Sequence, residues 1–189
     1  MTNTRPLISS ISSPAGISGK LRDDGACFCI STAFRGTYLD SYYLQVNNVS
    51  RPQIVRHSIP AFIPLTDLAR EHLPAHLNKL LHLLFAQLNG YAGRKFQANH
   101  LEKSSAYVAG SLQKNSMYTV LSFTYNLPVQ DQIVSFTAKV FYGDIASTYP
   151  TEVTVTCPDD EASVQQMISR HVSLFSSTAL HEALDSLTT

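Results

Sequence analysis

Few side chains in this sequence are spaced to do chemistry, and those few favour packing over catalysis. Cys157 is a candidate nucleophile, because a thiolate attacks carbonyl carbon once a base or a positive field activates it. It closes the alternating run Val153-Thr154-Val155-Thr156, a strand pattern that makes it a small apolar side chain at a strand end. His72 and His76 stand four apart, the spacing that sets two imidazoles on one helical face, with Asp67 and Glu71 nearby as further metal ligands. Pro74 lies between them and disturbs that register. No cysteine or third histidine is spaced to complete a metal site, so both histidines read as surface or packing residues. Cys27 and Cys29, two apart on a strand, share one face and read as small buried hydrophobes. No G-x-S-x-G elbow or H-E-x-x-H helix is present.

The segment Gly90-Tyr91-Ala92-Gly93-Arg94-Lys95 offers a different chemistry. It is not a phosphate loop, which needs G-x-x-x-x-G-K followed by Ser or Thr. It does spell G-x-x-G beside two cations, the arrangement with which KH domains clamp a nucleic-acid backbone between two helices. The simpler reading, favoured here, is a helix capped at Gly90 and followed by a linking helix from Tyr91 through Leu101. Tyr91, Arg94, Lys95 and Phe96 are then two aromatics and two cations available to anchor a partner or to pack between domains.

The elements that must position these residues are legible from periodicity. Ala26 to Phe34, Thr37 to Val46 and Gln53 to Ile59 are rich in β-branched and aromatic residues, with Arg35-Gly36 placed for a hairpin turn. Tyr118 to Leu127, Gln132 to Tyr142 and Thr151 to Thr156 repeat the pattern in the second half. Each set leads to a proline pair, Pro60 and Pro64 or Pro150 and Pro158, and then to a helix. This is compatible with a weak internal duplication joined near Gly90 to Gly93, and equally with the common strand-then-helix order of α+β domains. Beyond a break at Pro74, Leu77, Leu80, Leu81, Leu84 and Leu88 form a helical stripe that Leu83 and Phe85 widen. A helix so widely apolar is covered on two sides, by two layers of its own fold or by its sheet and a partner. Leu77, Leu81, Leu84 and Leu88 are therefore candidate partner-interface or inter-domain residues. Pro158-Asp159-Asp160-Glu161 starts a further helix whose stripe is Val164, Met167, Ile168, His171, Val172 and Phe175, and Leu180, Leu184 and Leu187 mark a short last one.

Composition narrows the function classes. In 189 residues, 44% are hydrophobic and 15% charged, enough apolar surface for a real core. Fourteen basic and fourteen acidic residues cancel, which argues against bulk affinity for nucleic acid and leaves room only for a local patch. Three cysteines make no disulfide framework and point to a reducing compartment. Met1 to Pro14 is rich in Ser and Thr without an apolar run, so neither a secretory signal nor a membrane span is read, and the sequon Asn48-Val49-Ser50 is expected to be unused.

The run Gly16 to Val46, GISGKLRDDGACFCISTAFRGTYLDSYYLQV, resembles the globular part of the CENP-O family of inner-kinetochore subunits. Further blocks resemble it in the same order: His57-Ser58-Ile59-Pro60 with Phe62-Ile63-Pro64-Leu65, Tyr91 through Ala98, Leu121-Ser122-Phe123-Thr124-Tyr125, and Val153 through Cys157. The resemblance implies an α+β fold of two tandem RWD-like domains, each a meandering antiparallel sheet packed on helices. The corresponding division is a flexible segment over 1–15, a first domain over 16–90, and a second over 91–189 that includes the linking helix. RWD domains often carry a YPxxxP turn, and here Tyr149-Pro150-Thr151-Glu152-Val153-Thr154 lacks the second proline. They also share a fold with ubiquitin-conjugating enzymes, but no His-Pro-Asn tripeptide precedes Cys157, and no enzyme is expected. The family carries a helical, coiled-coil-prone region ahead of these domains, where this sequence has some 15 residues before Gly16.

By the same resemblance the partners would be CENP-P, as a heterodimer, together with CENP-Q, CENP-U and CENP-R. The location would be the nucleus, at the centromere and kinetochore, and the role chromosome alignment and mitotic segregation. No cofactor, small-molecule substrate or membrane is implied. Two alternatives of other classes are an RWD-type adaptor that docks ubiquitin-pathway proteins and a KH-like nucleic-acid binder using Gly90 to Lys95.

Overall fold

The computed structural model describes residues 10–13, 16–48, 50–73, 75–158 and 162–188. The chain divides into two compact units, Met1–Asn89 and Gly90–Thr189. The architecture is α+β, with one antiparallel meander in each unit.

Unit 1 contains a five-stranded sheet in sequence order: β1 (Ser10–Ser13), β2 (Ile17–Arg22), β3 (Gly25–Phe34), β4 (Thr37–Asn47) and β5 (Gln53–His57). The expected strands lie within a residue or two of β3, β4 and β5. Where a flexible segment was expected over 1–15, Ser10–Ser13 pairs with Ile17–Lys20 as an edge strand; the remainder of that segment lies outside the described residues. The β3–β4 turn falls on Arg35 (φ 48°) and Gly36 (φ 78°), two successive left-handed residues, the geometry that follows the twist of the flanking strands. A register shift between Ser31 and Ala33 is closed by the buried Thr32, whose hydroxyl donates to the Asp40 carbonyl at 2.9 Å and accepts the Asp40 N–H at 3.1 Å.

Alternation sorts β3 into Phe28 and Ile30, which are buried, and Cys27 and Cys29, which are half-buried on the opposite, solvent side. Both cysteines share a face as expected, but that face is not the core. Cys29 Sγ lies 3.7 Å from Ser41 Oγ in a hydroxyl cluster that includes Ser31 and Tyr38. Helices α1 (Leu65–His72) and α2 (Leu77–Leu101) follow, and the break expected at Pro74 lies outside the described residues. Leu80, Leu84 and Leu88 are fully buried against Phe28, Ile30 and Leu44. Each such side chain contributes about 1.5–3 kcal/mol of hydrophobic stabilisation.

Unit 2 repeats the meander with β6 (Gln113–Lys114), β7 (Val120–Val129), β8 (Gln132–Phe141) and β9 (Glu152–Thr156), followed by α3 (Ala162–Ser177) and α4 (Leu180–Ser186). The β7–β8 turn again uses two left-handed residues, Gln130 (φ 47°) and Asp131 (φ 65°). The expected stripe on α3 is realised: Val164, His171 and Phe175 are buried, with Met167, Ile168 and Val172 packed partly against the same core. The acidic start at Asp159-Asp160-Glu161 lies outside the described residues. The C-terminal part of α2 contributes Ala98 and Leu101 to this second core.

One expectation is overturned here. Gly90 does not cap a helix, and no separate linking helix begins at Tyr91, because α2 runs unbroken from Leu77 to Leu101. Glycine ordinarily weakens a helix interior by about 0.5–1 kcal/mol relative to alanine. Here a Cβ at position 90 would sit 2.5 Å from the Ile145 carbonyl oxygen and 2.7 Å from the Ala146 carbonyl carbon. The glycine serves a close approach of backbone to helix, not a chain reversal.

Candidate functional site

The segment Gly90 to Gln97 organises the loops of unit 2 from the side of a helix. Arg94 is 1% exposed, the largest fully buried side chain described. Its Nη1 donates to the carbonyl oxygens of Ile145 and Ser147, both at 2.7 Å, and its Nη2 donates to Met117 at 3.3 Å. A planar fork with five N–H donors suits such a set of diverging carbonyls, which a compact ammonium cannot span. The guanidinium carbon lies 5.5 Å from the centre of the Tyr142 ring. Burial lowers the Arg94 pKa, while Tyr142, Asp144 and Tyr91 oppose that shift. Burial raises the Tyr142 hydroxyl pKa against the pull of Arg94.

One turn further on, Gln97 joins two more segments. Its Nε2 donates to the Thr148 carbonyl at 2.9 Å, and its Oε1 accepts the Leu180 N–H at 2.9 Å, at the first residue of α4. Gln97 lay inside the block that carried the family resemblance but was not singled out, because a polar residue at helical spacing has no signature of what it will meet.

This geometry removes the KH-like clamp. A clamp needs the two glycines in a turn between helices with cations free to reach phosphate. Here both glycines lie within α2 and Arg94 is enclosed by protein carbonyls.

The other candidates separate into covered and accessible residues. Leu81, Leu84 and Leu88 are buried in the core of unit 1, and Leu77 is half-buried against it. Phe96 stacks on His100 with ring centres 3.8 Å apart, and meets His181 edge-on at 5.6 Å. Tyr91 and Lys95 are half-buried, and the Lys95 ammonium lies 6.0 Å from the Tyr91 ring centre. The edge of Tyr91 meets Tyr118 at 5.9 Å and 66°. Lys114, exposed, places its Nζ 4.6 Å from the Tyr118 ring centre and 3.0 Å from its hydroxyl. Lys114 and Tyr118 were not anticipated, since the 26 residues between Tyr91 and Tyr118 conceal their proximity.

Among the described residues, no three His, Cys, Asp or Glu side chains are grouped to hold a metal. His72 is buried and His76 exposed. No helix of the described residues is long and apolar enough to cross a membrane.

Comparison with known proteins places this arrangement in a family. The model of the Cenp-O kinetochore centromere component matches residues 27–173, from β3 of unit 1 to α3 of unit 2. Centromere protein O of Xenopus tropicalis is 47% identical over 171 residues, which is 90% of this chain and 56% of that protein. The Gallus gallus protein is 41% identical over 174 residues (91% and 54%), and the Homo sapiens protein 41% over 177 residues (92% and 59%). The chain thus spans a little over half the length of the curated relatives it matches. With its family match crossing both meanders, the chain belongs to the CENP-O family of kinetochore centromere components.

Proposed function

We propose that this chain is a non-enzymatic scaffold subunit of the constitutive inner-kinetochore network, acting in the nucleus at the centromere. Its two meander-and-helix units would be RWD-like domains in tandem, over 16–90 and 91–189. It pairs with CENP-P and assembles with CENP-Q, CENP-U and CENP-R to support chromosome alignment and mitotic segregation. The observation that carries this reading is the family match that begins in the first sheet and ends beyond the second. The geometry supports it in a second way. The polar network around Arg94 and Gln97 in unit 2 ties backbone loops together. A scaffold needs rigid surfaces, and a buried guanidinium that holds three loop carbonyls restrains the loops that carry them.

The interface is drawn as regions: the accessible part of the Tyr91 to Phe96 segment in unit 2, and in unit 1 the helix bearing Leu77 together with the sheet it covers. The test is co-expression with CENP-P of the same organism, followed by size-exclusion chromatography with light scattering. A stoichiometric 1:1 complex is expected. If the chain runs alone and folded in that experiment, the proposed pairing with CENP-P falls.

A further inference from the structure

A cavity of about 310 Å³ opens in unit 2 where the end of β7 meets α3 and the end of α4. Pro128, Arg170 and Ser186 on its rim are exposed, so it is open to solvent. Its floor holds His171, which is 2% exposed and whose Nδ1 lies 2.8 Å from the Tyr125 hydroxyl. Tyr125 is fully buried, and His171 is the one hydrogen-bond partner of its hydroxyl among the described residues, so the hydroxyl proton goes to Nδ1. A neutral imidazole that accepts at Nδ1 carries its own proton on Nε2. Nε2 holds no hydrogen bond among the described residues, yet it is not sealed inside the protein, so it opens on the cavity that His171 lines. It is a donor held in place without an acceptor, and such a group costs free energy until something supplies one.

The rest of the lining says what that something is. The two hydroxyl protons are already committed: Ser186 Oγ donates to the Ala183 carbonyl and Thr188 Oγ1 to the Asp185 carbonyl, both at 2.7 Å. Arg170 is in no ion pair among the described residues, and no carboxylate lines the cavity. Leu127, Met167 and Leu187 make the walls apolar. The free capacity is therefore one N–H donor on the floor and one guanidinium at the rim, set in an apolar throat. We propose that this cavity receives a glutamate side chain of a partner protein, its methylenes against Leu127, Met167 and Leu187 and its carboxylate between His171 Nε2–H and the Arg170 guanidinium. The size is at the low end for ligand cavities and suits one side chain. A single fixed cation matches a single carboxylate, whereas a phosphate dianion calls for more donors than these. A free small acid would bear the whole entropic cost of association for that one charged contact, a cost that the rest of a partner's interface carries for a side chain. The inference rests on the scaffold reading only in taking the occupant to be protein.

The experiment follows the isotope-labelled full chain by NMR at about pH 7.5, where the imidazole is neutral. Three blocked pentapeptides are added in turn, acetyl-Ala-Ala-Xaa-Ala-Ala-amide with Glu, Gln or Lys at the centre. The starting spectrum should show the His171 ring proton on Nε2. The glutamate peptide should shift the His171 ring nitrogens and the Met167 methyl group saturably, in roughly the millimolar range that one side chain supplies. Binding should weaken at least fivefold for the glutamine peptide and on Arg170→Gln, weaken with added salt, and vanish for the lysine peptide. Arg170 is exposed, so its replacement leaves the fold intact, which circular dichroism checks. No saturable shift, a proton found on Nδ1, or binding indifferent to the glutamine peptide and to Arg170→Gln would overturn the proposal. So would butyrate or inorganic phosphate that shifts His171 where the glutamate peptide does not, which gives the cavity to a small free acid or to an adventitious ion only. CENP-P pairing is measured separately on the same chain. Peptide binding without pairing defeats the proposed function alone, and pairing without peptide binding defeats this inference alone.

Discussion

Arg94 Nη1 donates a 2.7 Å hydrogen bond to the carbonyl oxygen of Ile145, 51 residues further along the chain. The bond joins the buried side of α2 to the loop between β8 and β9. With the bonds to Ser147 and Met117 it makes one side chain the common support of two loops. One of these loops carries Tyr149-Pro150 and the other carries Tyr118. Removing the fork should therefore be felt at both loops.

Arg94→Lys keeps the charge and loses the fork. A single ammonium cannot reach three diverging carbonyls, so at least one buried acceptor loses its partner, at about 1–3 kcal/mol. Urea unfolding should show that loss, and hydrogen exchange should quicken over 144–151 and 115–119 before it does in β7 and β8. Unchanged exchange in both loops would mean that Arg94 does not support them.

Gly90→Ala reverses the usual rule for helix interiors. Propensity alone predicts a gain of about 0.5–1 kcal/mol. The new methyl would instead meet backbone atoms of Ile145 and Ala146 at 2.5–2.8 Å, and backbone yields less easily than a flexible side chain. A net loss of about 1–3 kcal/mol is expected, as for other overpacked sites, visible as a lower Tm. A raised Tm would show that the loop does not press on the helix.

His171 makes the stability of unit 2 depend on pH. The Tyr125 hydroxyl lies 2.8 Å from His171 Nδ1, and Phe136 packs against the imidazole edge at 4.9 Å. Burial, with a smaller contribution from Arg170, lowers the His171 pKa to about 4, and burial raises that of Tyr125, so the tyrosine donates to a neutral imidazole. The unfolded chain, with a histidine pKa near 6.5, takes up the proton first as pH falls. The stabilisation is thus complete above about pH 6.5, declines from there to about pH 4, and falls no further below, a loss of at most about 3 kcal/mol. His171→Gln keeps an acceptor for Tyr125 and should flatten that part of the curve. An equally steep curve in the variant would assign the pH dependence to other groups.

The strands and the first hairpin turn were legible from the sequence because their causes are local. Alternation in β3 and in β8 places every second side chain on the same face, and Arg35-Gly36 sits where a left-handed pair is needed. The leucine stripe from Leu77 to Leu88 likewise declared a buried helix face. The ordered blocks from Gly16 onward carried the family resemblance, and the family match over 27–173 bears it out.

What only the tertiary structure decided lies where the cause is distant. Two glycines three apart look like a helix end, and nothing near Gly90 in sequence reveals that residues 145 and 146 press against it. A cation beside an aromatic looks exposed until loops more than 20 and 50 residues away enclose Arg94. Cys27 and Cys29 were rightly placed on one face, but alternation cannot say which face a helix will cover. Local spacing sets the conformation of a segment, because it acts through neighbouring dihedrals and side chains. The partners of that segment are set by contacts between residues far apart in the chain, and these exist only once the chain has folded.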